Sequence, residues 1–235
     1  MSKTIDVCLS PELLHLYSFG EKLVVVVDIL RATSCMTAGI ANGVESITPK
    51  ANLEECRALK SEGYIIAGER NGEKVEDFDL GNSPFGYMNE DLKGKKVAVT
   101  TTNGTVAINK SRNAKEVIIG SFLNLSAVAD HCKNSPHNVL ILCAGWKGRV
   151  NMEDSLFAGA LVEALSDTHE SACDPPLMTA KMYEAAKHDL IGFVEKSSHV
   201  NRLKRIGIGK DIEFCLSIDK YSEIPVLKGE KLIKL

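Results

Sequence analysis

Residues 24–28 read Val-Val-Val-Val-Asp. A run with no polar alternation cannot be a strand with one wet face. It is expected as a buried parallel strand covered on both sides. Parallel strands need crossover connections, so such a strand commits the neighbouring chain to helices. The sequence supplies them. Residues 32–42 have the small-residue pattern of a short helix closed by Gly43. Residues 46–48 and 64–67 read as strands around an amphipathic helix at 53–61. Residues 97–100, 117–119 and 139–143 read as further strands, with helices at 105–110 and 125–132. This alternation predicts βαβ units and an α/β fold with a mostly parallel sheet. Beyond residue 150 the pattern turns to helices at 152–166, 176–187, 199–206 and 211–218, so the C-terminal third is expected to be helix-rich. Residues 224–235 carry Lys228-Gly229-Glu230 between apolar pairs and read as a hairpin. Residues 1–235 are taken as one elaborated α/β domain, with a subdomain boundary near 145–150 as the alternative.

Charge narrows the partners. The chain has 235 residues, with 28 Lys and Arg against 31 Asp and Glu, a net charge of −3. No overall basic field exists to hold a nucleic-acid backbone. The strongest apolar run, residues 23–27, is five residues long, whereas a membrane span needs about 20. The N-terminus shows no apolar stretch of the signal-peptide kind. The seven cysteines show no C-x-x-C spacing, which argues against a zinc ribbon or a thioredoxin-like motif. A reducing, cytoplasmic compartment is expected, with no nucleic-acid or membrane partner.

Loops that follow parallel strands share the carboxyl edge of a sheet, where ligands of open α/β folds bind. Here those loops carry Gly, Ser/Thr, Arg and carboxylates in unusual density. Asp28 ends the valine run and is either a helix cap or a metal ligand or base. Arg31, near a helix start, opposes the helix dipole unless an anion sits there. Thr33 and Ser34 follow it. Gly68-Glu69-Arg70 repeats the carboxylate–arginine pairing, and is otherwise a surface ion pair. Thr101, Thr102, Asn103 and Gly104 could cradle an anion with hydroxyls and backbone N–H groups, or simply cap a helix. Lys147 and Arg149 follow the last strand. Glu153-Asp154 opens a helix, where acidic residues suit the dipole but could also complete a metal site with Asp28 and Glu69.

Several alternatives fail. Asp77-Phe78-Asp79 does not follow an apolar strand, so it is not taken as a phosphatase nucleophile pair. Asp79-Leu80-Gly81-Asn82-Ser83-Pro84 reads better as a turn that starts a helix at Pro84. No Walker A loop, zinc-binding histidine spacing or serine-hydrolase elbow occurs. His199 follows Ser197-Ser198 at a helix start, where a general acid is one reading and a structural histidine the other. Four cations (Arg31, Arg70, Lys147, Arg149) with Asp28 and Glu69 suit a polyanionic small molecule bound with a divalent metal, and phosphoryl chemistry is the matching class.

The ordered set Asp28-Ile29-Leu30-Arg31-Ala32-Thr33-Ser34, Gly68-Glu69-Arg70, Asp79-Leu80-Gly81-Asn82-Ser83-Pro84, Thr100-Thr101-Thr102-Asn103-Gly104-Thr105, Cys143-Ala144-Gly145, Glu153-Asp154 and Ile224-Pro225-Val226-Leu227 resembles the 2-phosphosulfolactate phosphatase family. The resemblance spans residues 24–227. It implies a three-layer α/β/α fold and a Mg²⁺-dependent phosphatase that converts 2-phospho-3-sulfolactate to 3-sulfolactate and phosphate. In methanogens that step belongs to coenzyme M synthesis. On this reading Asp28 is a Mg²⁺ ligand with Glu69 or Asp154 second, or else a nucleophile. Arg31 and Arg70 bind phosphoryl oxygens. Thr33, Ser34 and the Thr101, Thr102, Asn103 and Gly104 loop bind substrate, with Lys147 and Arg149 at its carboxylate or sulfonate end. A non-catalytic binding module for a phosphorylated acid, a phosphotransferase, and a phosphatase for a related phosphorylated hydroxy-acid are the alternatives. A symmetric dimer is the commonest assembly for such enzymes.

Overall fold

The computed structural model describes residues 2–235. The chain runs β1 (Lys3–Cys8), β2 (Leu23–Val27), α1 (Ala32–Ala41), β3 (Ser46–Pro49), α2 (Leu53–Ala58), β4 (Ile65–Arg70) and β5 (Glu73–Lys74). It continues through α3 (Pro84–Tyr87), β6 (Lys96–Thr100), α4 (Gly104–Lys110), β7 (Glu116–Gly120), α5 (Leu125–Asn134) and β8 (Val139–Cys143). The last third holds α6 (Met152–Leu165), β9 (His169–Ser171), α7 (Asp174–Ala186), α8 (Leu190–Val194), α9 (Ser198–Arg205), α10 (Gly209–Cys215), β10 (Pro225–Lys228) and β11 (Lys231–Lys234).

The strands form one sheet in the order β5-β4-β6-β3-β11-β10-β7-β2-β8-β1-β9. Two parallel blocks stand out. The first is β4-β6-β3. The second is β7-β2-β8-β1-β9, with Val25 level with Ile118 on one side and Ile141 on the other. The C-terminal hairpin β10-β11 lies between them and is antiparallel to both, through Leu232 opposite Ile47 and Val226 opposite Ile118. The hairpin expected from the sequence is thus present, in the middle of the sheet. Followed through it, the two blocks run in opposite senses.

The valine run behaves as its composition demands, with every residue of β2 buried. Val25 and Val27 face a core shared with α5, α6 and the C-terminal helices. Val24 and Val26 face a second core that holds α1, Ala107 and Ile108 of α4, and Ala67, Val97, Val99 and Ile47 of the other block. Both blocks therefore wrap α1. A right-handed twist of roughly 20–25° per strand turns the blocks toward one another. Small residues let α1 fit there. At Gly39 an added Cβ would lie 3.0 Å from the Tyr87 ring, which is tighter than ordinary packing allows. Among the described residues, no helix is long and apolar enough to cross a membrane.

Candidate functional site

The twist brings the carboxyl ends of β2, β4 and β6 together, although they belong to opposed blocks. Gly104 opens α4 against the end of β2, and a Cβ there would lie 2.8 Å from Asp28 Oδ2. The Thr102 N–H donates to Glu69 Oε1 at 2.6 Å, tying β6 to β4. Glu69 lies within β4, which runs on to Arg70, rather than in a loop after it. Its other oxygen accepts the Gly72 N–H at 2.8 Å.

Asp28, Arg31, Glu69 and Asn103 line one narrow recess with Asn82, Trp146 and His199. Burial pushes the Asp28 carboxyl up to about 7; His199 and the Ala32 N–H pull it down, and nearby Glu69 and Glu153 push it further up. Burial likewise drives the Asp154 carboxyl well above the usual carboxylate range, with nearby Asp28 and Glu153 adding to it. This is a desolvated cluster of carboxylates, the surroundings in which anions need a counter-charge.

His199 enters from α9 as a buried residue. Its Nδ1 sits 2.5 Å from Glu153 Oε1, and its ring packs 5.1 Å from the Trp146 ring. Nε2 is left as the ring nitrogen free for the recess. The sequence offers Glu153 as a cap or an accessory to a metal site, yet the cap of α6 is Asn151, whose side chain accepts the Asp154 N–H. Asp154 instead accepts N–H groups from Ile29 at 2.8 Å and Gly145 at 3.0 Å, fixing the loops after β2 and β8.

Other residues named from the sequence have different surroundings. Arg31 is buried in an ion pair with Asp211 of α10 at 2.5 Å, and its second Nη donates to Gly72 O. Arg70 folds back onto Glu69 O and Thr100, away from the recess. Thr33 Oγ1 accepts the Asp28 N–H and Ser34 Oγ donates to Ile29 O, so both hydroxyls shape the loop from within. Thr101 and Thr105 exchange N–H to hydroxyl bonds at the start of α4. Asn103 Oδ1 accepts the Lys147 N–H. Lys147 and Arg149 stand outside the recess, in an adjoining cavity of about 420 Å³ with Trp146, His199 and Arg202. A larger cavity, about 700 Å³, lies elsewhere, around Asp6, Tyr17 and Cys173. It brings together none of these residues, so size alone does not locate the chemistry.

Asp28, Glu69 and Asp154 do not form a three-ligand metal cage: among the described residues no three His, Cys, Asp or Glu side chains group in that way. Mg²⁺ needs only one or two carboxylates, completed by water and phosphate. The donor set fits that requirement. Glu69, Asp154 and Asp28 all accept backbone N–H groups, and among the described residues Asp28 has no cationic side chain within ion-pair distance. Asn82 Oδ1, Glu153 Oε2 and Thr102 Oγ1 are buried without a partner. Asn82 lines the same recess as Asp28, and an orphan hard oxygen there is what a small divalent cation with its water shell would satisfy. Asn82 stands in the sequence only as part of a turn, and Glu153 only as a cap or a metal-site candidate, so the first as a lining residue and the second as the partner of His199 are new. The turn signature around Asn82 and the serine pair before His199 were the available signals.

Residues 8–230 match the family described as 2-phosphosulpholactate phosphatase. A protein of Caldanaerobacter subterraneus subsp. tengcongensis is 40% identical over 214 residues, covering 89% of each chain. One of Thermotoga maritima is 41% identical over 203 residues, 86% of this chain and 88% of the relative. One of Clostridium botulinum is 33% identical over 236 residues, 98% of this chain and 99% of the relative. All three are named probable 2-phosphosulfolactate phosphatase.

Proposed function

Since this chain belongs to the 2-phosphosulfolactate phosphatase family, we propose that it hydrolyses 2-phospho-3-sulfolactate to 3-sulfolactate and phosphate at the Asp28 recess. The observation that carries this reading is the meeting of Asp28, Glu69 and His199 in one recess, from β2, β4 and α9.

Asp28 is the residue that would hold Mg²⁺, with Glu69 beside it and Asn82 Oδ1 as a neutral donor. The ion supplies charge neutralisation for the phosphoryl group. The chain's own contribution is positional. Glu69 fixes the Thr102 and Gly72 N–H groups at the mouth of the recess. Glu153 holds the His199 ring by Nδ1, which leaves Nε2 to protonate the leaving oxygen of sulfolactate. Arg31 keeps a cation on the wall of the recess while Asp211 fixes its geometry. Lys147 and Arg149, which share a cavity with Trp146, would meet the acidic end of the substrate. All seven cysteines are free and six are buried, which supports a reducing, cytoplasmic setting.

The test is phosphate release. Purified protein with phosphosulfolactate and Mg²⁺ should liberate phosphate, and EDTA should stop it. No release with any divalent metal would favour a binding module. Release only with an added acceptor would favour a phosphotransferase.

A further inference from the structure

Beyond the recess, one side chain lacks any established use. Arg202 of α9 has its Nε and Nη2 buried and without a partner. A guanidinium with unpaired buried N–H groups is costly unless something binds it. Its Cζ lies over the Trp146 ring, 4.4 Å from the centroid. Its Nη1 makes only a long bond, 3.4 Å, to Ser198 Oγ. Lys147 Nζ reaches the same Trp146 ring at 5.5 Å, and Arg149 shares the cavity. Among the described residues none of the three has a carboxylate within ion-pair distance. Lys147 Nζ donates to the neutral Asn71 Oδ1 at 2.9 Å. The chain is acidic overall, with 31 Asp and Glu against 28 Lys and Arg, so three cations without a carboxylate partner in one cavity form a local exception. The cavity they line also touches His199, which lines the recess as well.

We propose that Arg202, seated on Trp146 beside Lys147 and Arg149, binds a second anionic group of the substrate while its phosphate lies in the Asp28 recess. The ligand class is a carboxylate or sulfonate carried on the same small molecule as the phosphate. The guanidinium offers planar paired donors to such an oxyanion, and stacking on Trp146 holds that plane in one orientation. Arg202 is then a specificity residue. It separates phosphorylated acids from plain phosphate esters, and takes no part in proton transfer. This inference rests on the phosphatase reading for its substrate but not for its binding site.

Two measurements test it on the full-length protein. Steady-state kinetics compare phosphosulfolactate with p-nitrophenyl phosphate, which carries no second anion, for wild type, Arg202→Gln and Arg202→Lys. Losing one charge-assisted contact should raise KM for phosphosulfolactate by about ten- to hundredfold with little change in kcat. The preference for phosphosulfolactate over p-nitrophenyl phosphate, as a ratio of kcat/KM, should fall by about the same factor. Arg202→Lys, which keeps charge but not the planar fork, should lie between. Calorimetric titration with 3-sulfolactate needs no turnover, and its affinity should fall in Arg202→Gln by a similar factor. If the ratio stays constant, Arg202 only props Trp146 and His199, and the proposal is overturned. Absent or unchanged sulfolactate binding overturns it too. If wild type releases no phosphate but binds sulfolactate through Arg202, the phosphatase reading fails and the subsite stands.

Discussion

Asp28 is surrounded by residues that exist to sit close to it. Gly104 is the clearest case: a Cβ there would lie 2.6 Å from Ala32 Cβ and 2.8 Å from Asp28 Oδ2. Both contacts are closer than van der Waals packing permits, and the recess is closed in on the other side by β4. Gly104→Ala should therefore destabilise the protein by about 1–3 kcal/mol, read by urea denaturation, and should also depress phosphate release by displacing the carboxylate. A variant with wild-type midpoint and turnover would mean that the α4 terminus yields freely. At this scale the sequence was informative where chemistry follows an apolar strand. Asp28, Glu69 and Asn103 could be picked out because polar residues after β-branched runs are unusual. Arg31, Arg70, Thr33 and Ser34 were equally visible, but visibility did not show their direction. Arg31 turns to Asp211, Arg70 turns back to Thr100, and the two hydroxyls turn inward. Side-chain direction depends on partners that arrive from distant elements.

Helices α9 and α10 are those distant elements. They contribute His199, Arg202 and Asp211, of which only His199, behind Ser197-Ser198, carries a local signal in the sequence. Asp211 Oδ2 holds Arg31 and its Oδ1 accepts from Ser83 Oγ at 3.1 Å, so one carboxylate docks α10 on the loops after β2 and before α3. Arg31 and Asp211 side chains are 4% and 7% exposed, so the pair is desolvated, and removing one partner strands the other. Asp211→Ala should cost about 3–5 kcal/mol in a thermal or denaturant melt, with a loss below 1 kcal/mol contradicting the docking role. Strand reading shows the same divide. β2, β6 and β8 were legible as apolar runs. β1 was not, because Asp6 interrupts its apolar pattern, and β9, reading His-Glu-Ser, has no apolar pattern at all. The hairpin could be foreseen from Lys228-Gly229-Glu230, but its position between β3 and β7 rests on tertiary pairing alone.

At the level of the whole molecule, the cost of burying carboxylates should appear as a pH dependence of stability. Asp28 ionises near 3.8 when unfolded and near 7 when folded. A raised carboxyl pKa means the folded state holds the proton more tightly. Its contribution is full below 3.8 and is lost as pH rises toward 7. Asp154 acts in the same direction. His169, held below its ordinary value chiefly by burial, opposes the trend as it sheds its proton. The informative quantity is therefore the difference between variants. Without metal, Asp28→Asn should gain Tm relative to wild type as pH rises from about 5 to 8. Mg²⁺ should raise the wild-type Tm more at pH 8 than at pH 6, because protons compete with the cation. A pH-independent difference would place Asp28 in a better-solvated setting than the one described.

The opposed blocks of the sheet, the central hairpin and the C-terminal helices all converge on one carboxylate at the end of a valine run. Phosphate release from phosphosulfolactate by wild type and Asp28→Asn, side by side with Mg²⁺, addresses that convergence most directly. Wild type should turn over and lose activity in EDTA, while Asp28→Asn, folded by circular dichroism, should lose nearly all release. Near-wild-type turnover by Asp28→Asn would remove Asp28 from the site and contradict the account.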